Sequence, residues 1–185
     1  MRIVGGQPRV GLAALAAGTG LATAWNPNPN NAVYALARNG ATIIIGGVFT
    51  TVGGQTRNRI AAVDPTTAAA TAWDPNANNR VSALAVDGTT IYAGGYFTSI
   101  GGQVRGRLAA LDATSGLADT WNPNANSTVH ALAMNGSTLH VGGAFTTIGG
   151  QSRPYFATID TGTGAATAWS AGANGQVYAL ARSAG

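Results

Sequence analysis

Trp25, Trp73, Trp121 and Trp169 fall at a constant interval of 48 residues, and most glycines and apolar residues of the 185-residue chain recur with them. One short unit, written about four times, cannot bury a core by itself, so its copies must pack side by side. Self-similarity at roughly 20–50 residues marks a solenoid, a propeller or an array. The complete units are 25–72, 73–120 and 121–168; a fourth is composite, made of 169–185 plus 1–24, and the whole of 1–185 reads as a single repeat domain.

Within the first complete unit, Val33 to Arg38 alternates, Asn39-Gly40 follows, and the apolar run Ile43 to Ile45 comes next. The pair recurs as Asp87-Gly88 and Asn135-Gly136, which predicts a type I′ hairpin turn with positive φ at both central residues. Gly53-Gly54-Gln55 breaks the pattern before Ile60 to Val63, and Asp64-Pro65-Thr66-Thr67 breaks it again before Trp73. Each unit then holds four short strands, in the first unit A (VYALA), B (TIIIGGVFT), C (RIAAV) and D (ATAW). None is long or 3.6-periodic enough for a helix. Four antiparallel strands per ~40–50 residues is the blade of a β-propeller. The expected fold is therefore all-β, a propeller of four-stranded antiparallel blades with about four blades per chain.

Two registers fit the ends. In one, Arg2-Ile3-Val4-Gly5-Gly6 aligns with Leu139-His140-Val141-Gly142-Gly143 and supplies a strand B. In the other, Val4-Gly5-Gly6-Gln7 aligns with Ile148-Gly149-Gly150-Gln151, and that strand is missing. Both make the last blade a clasp, with strand A from the C-terminus and strands C and D from the N-terminus.

Composition excludes several classes. With 45% apolar and 9% charged residues the chain is expected to fold. All ten basic residues are Arg and all six acidic residues Asp, and the net charge of +4 is spread along the repeats without a basic block, which argues against nucleic-acid binding. Absence of Cys removes disulfides and thiol chemistry. The apolar stretch from Val10 to Trp25 aligns with 108–121, so it reads as repeat rather than signal peptide, and it is too short to span a bilayer.

The motifs WNPNANxxVxALA, NGxTxYxGGxFTxIGGQxR and LAALDxxTG together resemble the bacterial delta-60 type β-propeller repeats, found in tandem in large, often surface-associated proteins. The resemblance covers the whole chain. It implies a propeller fold and an extracytoplasmic or cell-surface setting, and no particular biochemical role. A weaker similarity is to the tryptophan-docking repeats of quinoprotein propellers, roughly AxDxxTGxxxW, which Ala110-Leu111-Asp112 through Ser115-Gly116 to Trp121 matches with one extra residue. The quinone- and Ca²⁺-binding residues of those enzymes have no counterparts here, so this similarity implies blade packing alone.

Most candidate sites have a structural explanation. The four tryptophans fit a wedge between neighbouring blades better than exposed rings that stack on sugars. Asp64, Asp112 and Asp160 precede the C–D turn, where an Asx-type bond accounts for the carboxylate, with Gly116 or Gly164 supplying a later positive φ; Ala16 replaces the Asp in the N-terminal copy. Paired-carboxylate chemistry would need two of them close together. The loops 26–31, 74–79 and 122–127 are rich in oxygen atoms, yet only Asp74 brings a carboxylate, too little to hold Ca²⁺ tightly. His130 and His140 are isolated strand substitutions, neither a zinc site nor a triad. No Ser lies in a GxSxG elbow, and the GGQ motifs precede strands, unlike phosphate-cradling loops, which open helices. No enzymatic activity, cofactor or metal is expected.

One array remains. Gln7, Gln55, Gln103 and Gln151 are each followed two residues later by Arg9, Arg57, Arg105 and Arg153. Alternating strand direction puts the B–C and D–A loops on one face, so these residues join the Asn-rich loops there. The functional reading is a surface for acidic or hydroxyl-rich ligands such as polysaccharides; the structural one is that each Arg bonds loop carbonyls or a neighbouring blade. Arg59 and Arg107, replaced by Tyr155 and Gly11, make a poorer ring. The expected function is a non-enzymatic scaffold or binding module, with carbohydrate or acidic-ligand binding through this face as the alternative. Four-bladed rings are strongly curved, so a homodimer completing an eight-bladed ring is expected ahead of a closed monomer.

Overall fold

The computed structural model describes residues 2–181, in which all regular structure is β-strand. The N-terminal hairpin is β1 (Arg2–Val4) with β2 (Gln7–Arg9). The first complete unit contains β3 (Val33–Asn39), β4 (Thr42–Gly47), β5 (Thr51–Val52), β6 (Gln55–Thr56) and β7 (Ile60–Val63). The second contains β8 (Val81–Asp87), β9 (Thr90–Gly95), β10 (Ser99–Ile100), β11 (Gln103–Val104) and β12 (Leu108–Asp112). The third contains β13 (Val129–Asn135), β14 (Thr138–Gly143), β15 (Thr147–Ile148), β16 (Gln151–Ser152) and β17 (Phe156–Asp160). Each unit forms a three-stranded antiparallel sheet, ordered β3-β4-β7, β8-β9-β12 and β13-β14-β17, plus a two-stranded hairpin.

Three local expectations change. The A–B turns pair Asn39 with Thr42, Asp87 with Thr90 and Asn135 with Thr138, so the central residues are Gly40-Ala41 and their repeats. Only the glycines take positive φ, at 53°, 57° and 58°. Positive φ at the first central residue alone is the pattern of a type II′ turn. Second, strand B stops at its Gly-Gly pair, where the chain bends to bury Phe49, Phe97 or Phe145, and then continues as the separate hairpin. Third, segment D is reduced to single bridges, Val63 to Ala70, Leu111 to Ala118 and Ile159 to Ala166. Part of its hydrogen bonding goes instead to the Gly-Gly turn of the hairpin, as in Ala70 N–H to Gly53 O at 3.2 Å and Ala118 N–H to Gly101 O at 3.0 Å.

The cores lie between units. Alternation sends successive residues of one strand to opposite neighbours: Ile44 joins the core shared with the second unit, while Ile45 joins the core on the N-terminal side. Likewise Ala109 and Leu111 pack toward the first unit, and Leu108 and Ala110 toward the third. Both faces of these strands are thus dry, which is why they are nearly continuous apolar runs. The Gly-Gly pairs set the spacing. A Cβ on Gly46, Gly94 or Gly142 would come within 2.7, 2.5 or 2.6 Å of a Val Cγ1 in the following unit, at Val81, Val129 and Val177; one on Gly47, Gly95 or Gly143 would collide with the carbonyl of Ala32, Arg80 or Thr128.

The inner strands β3, β8 and β13 are sheet edges that pack against one another, so they converge on the propeller axis. Each carries a β-bulge, at Tyr34, Ser82 and His130. At the N-terminus, β1 pairs with β2 across Gly5 and Gly6, whose φ of 55° and 76° match 59° and 76° at Gly149 and Gly150. The second of the two end registers is the one adopted. The halves of the composite unit lie at the two ends of the row of blades: Leu12 packs on the first complete unit, and Val177 on the third. Among the described residues no backbone hydrogen bond joins them, and 182–185, which would complete a terminal strand A, lie outside the described residues.

Candidate functional site

The tryptophans form the seams between units. Trp25, Trp73 and Trp121 donate Nε1–H to the main-chain carbonyls of Asp64, Asp112 and Asp160 at the C–D turn of their own units, at 2.9, 3.0 and 3.0 Å. Trp73 and Trp121 are only 5% exposed. One residue of strand B in the unit before seats the indole. Tyr92 meets Trp121 edge-on at 5.1 Å, and His140 stacks on Trp169 at 5.7 Å. His140 is therefore part of a seam, in the position that Ile44 and Tyr92 hold elsewhere.

The aspartates close the C–D turns. Asp112 Oδ1 accepts from Thr114 N–H, Ser115 N–H and the Ser115 hydroxyl at 3.1, 2.6 and 2.8 Å, and Asp64 and Asp160 repeat the arrangement. In the first unit the left-handed position after the turn is held by Ala68, at φ 64°, where Gly116 and Gly164 stand in the others. Donation by the Thr67 and Ser115 backbone N–H groups, and by the Thr163 hydroxyl, holds Asp64, Asp112 and Asp160 below the usual carboxylate range. With the native value lowered, the stabilisation is complete above the unfolded-chain value and is lost as pH falls through the native one. The urea midpoint of Asp112→Ala is thus expected to lie below wild type at neutral pH, with the gap closing in acid. A gap independent of pH would show that the carboxylate charge plays no part.

Each of the four arginines is engaged within its own unit. Arg9, Arg57 and Arg153 donate Nη2–H to Thr23, Thr71 and Thr167 carbonyls at 2.7, 2.6 and 3.0 Å, and Arg105 donates to the Asp119 carbonyl. Their Nη1 groups bond the carbonyl of the preceding residue. These bonds tie the hairpin to segment D. Arg57 also lies 3.7 Å from Asp74 Oδ2, while Gln7, Gln55, Gln103 and Gln151 are exposed. The D–A loops do share this face: Asn30, Asn78 and Asn126 accept through Oδ1 from the backbone at Thr50, Thr98 and Thr146, each at 2.8 or 2.9 Å. Arg59 and Arg107 reach the next D–A loop, donating to Ala77 and Ala125 carbonyls.

A second cluster, at the bulged ends of the inner strands, was not foreseen. The Arg80 guanidinium lies 5.1 Å from the Tyr34 ring centroid and 4.0 Å from that of Tyr96. Tyr96 is 6.2 Å from His130, which stacks on Tyr178 at 4.8 Å. Every unit contributes at least one member. The available signal was asymmetry: Tyr34, Ser82, His130 and Tyr178 share one repeat position, and Ala32, Arg80, Thr128 and Gln176 share another, so these columns vary where their neighbours are copied.

Inter-unit cores, antiparallel sheets and inner strands converging on an axis define a β-propeller. The family model of the β-propeller domain of unknown function DUF5122 matches residues 42–61 and 87–120. No curated protein matches the chain. Among solved structures, the computationally designed Ika4 protein is similar at 18% identity and a TM-score of 0.57, over 83% of this chain and 81% of that one. The computationally designed Ika8 protein is similar at 19% identity and 0.62, over 93% of this chain and 46% of that one. The Pan2 WD40 domain of Neurospora crassa is similar at 15% identity and 0.54, over 82% and 44%. The chain therefore spans less than half the length of the last two.

Proposed function

We propose that this chain is a non-enzymatic propeller scaffold whose two end surfaces join those of a second copy, giving a ring of eight units from two chains. Trp169 carries the proposal. It has a seat on His140 and Phe156, yet it is 55% exposed. In the repeat register its acceptor is the carbonyl of Ala16, a main-chain atom that needs no aspartate. At the other end Leu15 is 49% exposed, whereas its counterparts Val63, Leu111 and Ile159 are fully buried. The two ends are the halves of one more seam. A four-unit ring must turn twice as far at each seam as an eight-unit ring, which favours joining between copies over closure within one.

The non-enzymatic part rests on the aspartates, three of which are engaged one per unit in turn bonds. An extracytoplasmic setting is part of the proposal and rests on the repeat resemblance. Light scattering is expected to give twice the chain mass of 18.4 kDa, and Trp169→Ala to return it to the single mass. A wild-type protein of single-chain mass would overturn the assembly.

A further inference from the structure

We propose that the row Tyr34, Arg80, Tyr96, His130 and Tyr178 is a binding site for an acidic oligosaccharide, with a uronate carboxylate on Arg80 and pyranose rings on the tyrosines. The row is independent of the Gln/Arg loop array and of the seams. It lies where the inner strands start, near the axis, and bulges at Tyr34, Ser82 and His130 re-aim those side chains out of the sheet ladder.

Packing does not explain the row. Tyr34, Tyr96 and Tyr178 are 54%, 40% and 69% exposed, and Arg80 and His130 lie between them and link them into one row. A scaffold position in this chain is met by repeating one residue, as at the Trp seams, whereas the row takes a different residue from nearly every unit. His130 is held between two rings, and its buried Nε2 has no hydrogen-bond partner among the described residues.

Arg80 sets the charge of the ligand. Its Nε–H donates to Ser82 Oγ at 2.9 Å, and its plane is steadied by Tyr34 and Tyr96. Among the described residues its Nη groups make no hydrogen bond, and no carboxylate pairs with it. A guanidinium oriented in this way offers a fork that matches a carboxylate. The tyrosine faces suit the C–H face of a sugar ring, because the negative ring face attracts C–H groups. A nucleic-acid strand would need several cations following its phosphates, and the row supplies one. A quaternary ammonium would be repelled by the same arginine.

The test is calorimetric titration of the whole chain with an oligogalacturonate, a neutral oligodextran and an oligothymidylate. The oligogalacturonate is expected to bind, with Arg80→Gln weakening it about tenfold or more. Tyr34→Ser, which installs the residue that Ser82 already provides at the equivalent position, is expected to weaken it too while leaving the unfolding midpoint unchanged. The proposal is overturned by no oligogalacturonate binding, by equal binding to Arg80→Gln, or by tighter binding of either of the other probes.

Discussion

Replacing Trp121 by alanine is expected to destabilise the fold by about 3–5 kcal/mol, the range for deleting a buried Trp or Phe side chain. The ring is 5% exposed, it packs edge-on against Tyr92, and it sits in a core with Leu139, Val141 and Ile159. Alanine would leave a void bounded by two units, and neither sheet can collapse into it without breaking its own ladder. It would also strand the Asp160 carbonyl, which accepts the indole N–H. Trp169→Ala is the comparison, because that ring is more than half exposed; measured under conditions in which the chain is a monomer, it should cost about 1 kcal/mol or less. Denaturant unfolding of the two variants decides the matter. Equal effects would mean that burial at the seam is not what the tryptophan contributes.

Gly95→Ala is expected to cost about 3 kcal/mol, the upper part of the range for overpacking. Its new Cβ would run into the Arg80 carbonyl and lie 3.0 Å from Val81 Cα. Both are main chain, so relief requires β8 and β9 to move apart. Gly102→Ala separates this steric effect from backbone strain. Nothing lies within 4 Å of the added Cβ there, but φ is 77°, so the cost is that of the left-handed conformation, about 1–2 kcal/mol. If the larger loss fell at Gly102, close approach of the strands would not be the reason for the Gly-Gly pair. Shifts in urea midpoint for the two variants give the answer directly.

The tryptophan seams and the aspartate turns are legible in the sequence, because each rests on a residue type with one dominant physical use repeated at a fixed interval. The turn register is not. Asn39-Gly40 and Gly40-Ala41 share the same glycine, and only the pairing of Asn39 with Thr42 tells them apart. Segment D looked like a full strand because nothing in ATAW says that Ala70 will bond the hairpin turn across from it. The need for two glycines in strand B was equally hidden, since the atoms they avoid belong to another strand and to the following unit.

The sequence admits two readings of the loop arginines, and their bonds to segment D account for their recurrence. Of the aromatic row, the sequence singles out only His130, as an isolated substitution. Tyr178 shares its repeat position, but Tyr96 and Arg80 come from two other positions of a different unit, and no interval in the sequence connects those to it. Repetition in the chain signals scaffold; departures from it become informative once the fold sets them side by side.

The seam hydrogen bond ends on a main-chain oxygen rather than on a side chain. A bond that ends on main chain does not depend on which side chain the turn carries. Duplicating, deleting or transposing a whole unit therefore leaves this hydrogen bond intact at each join. A chain assembled on this rule can lengthen by gene duplication and diversify one unit at a time.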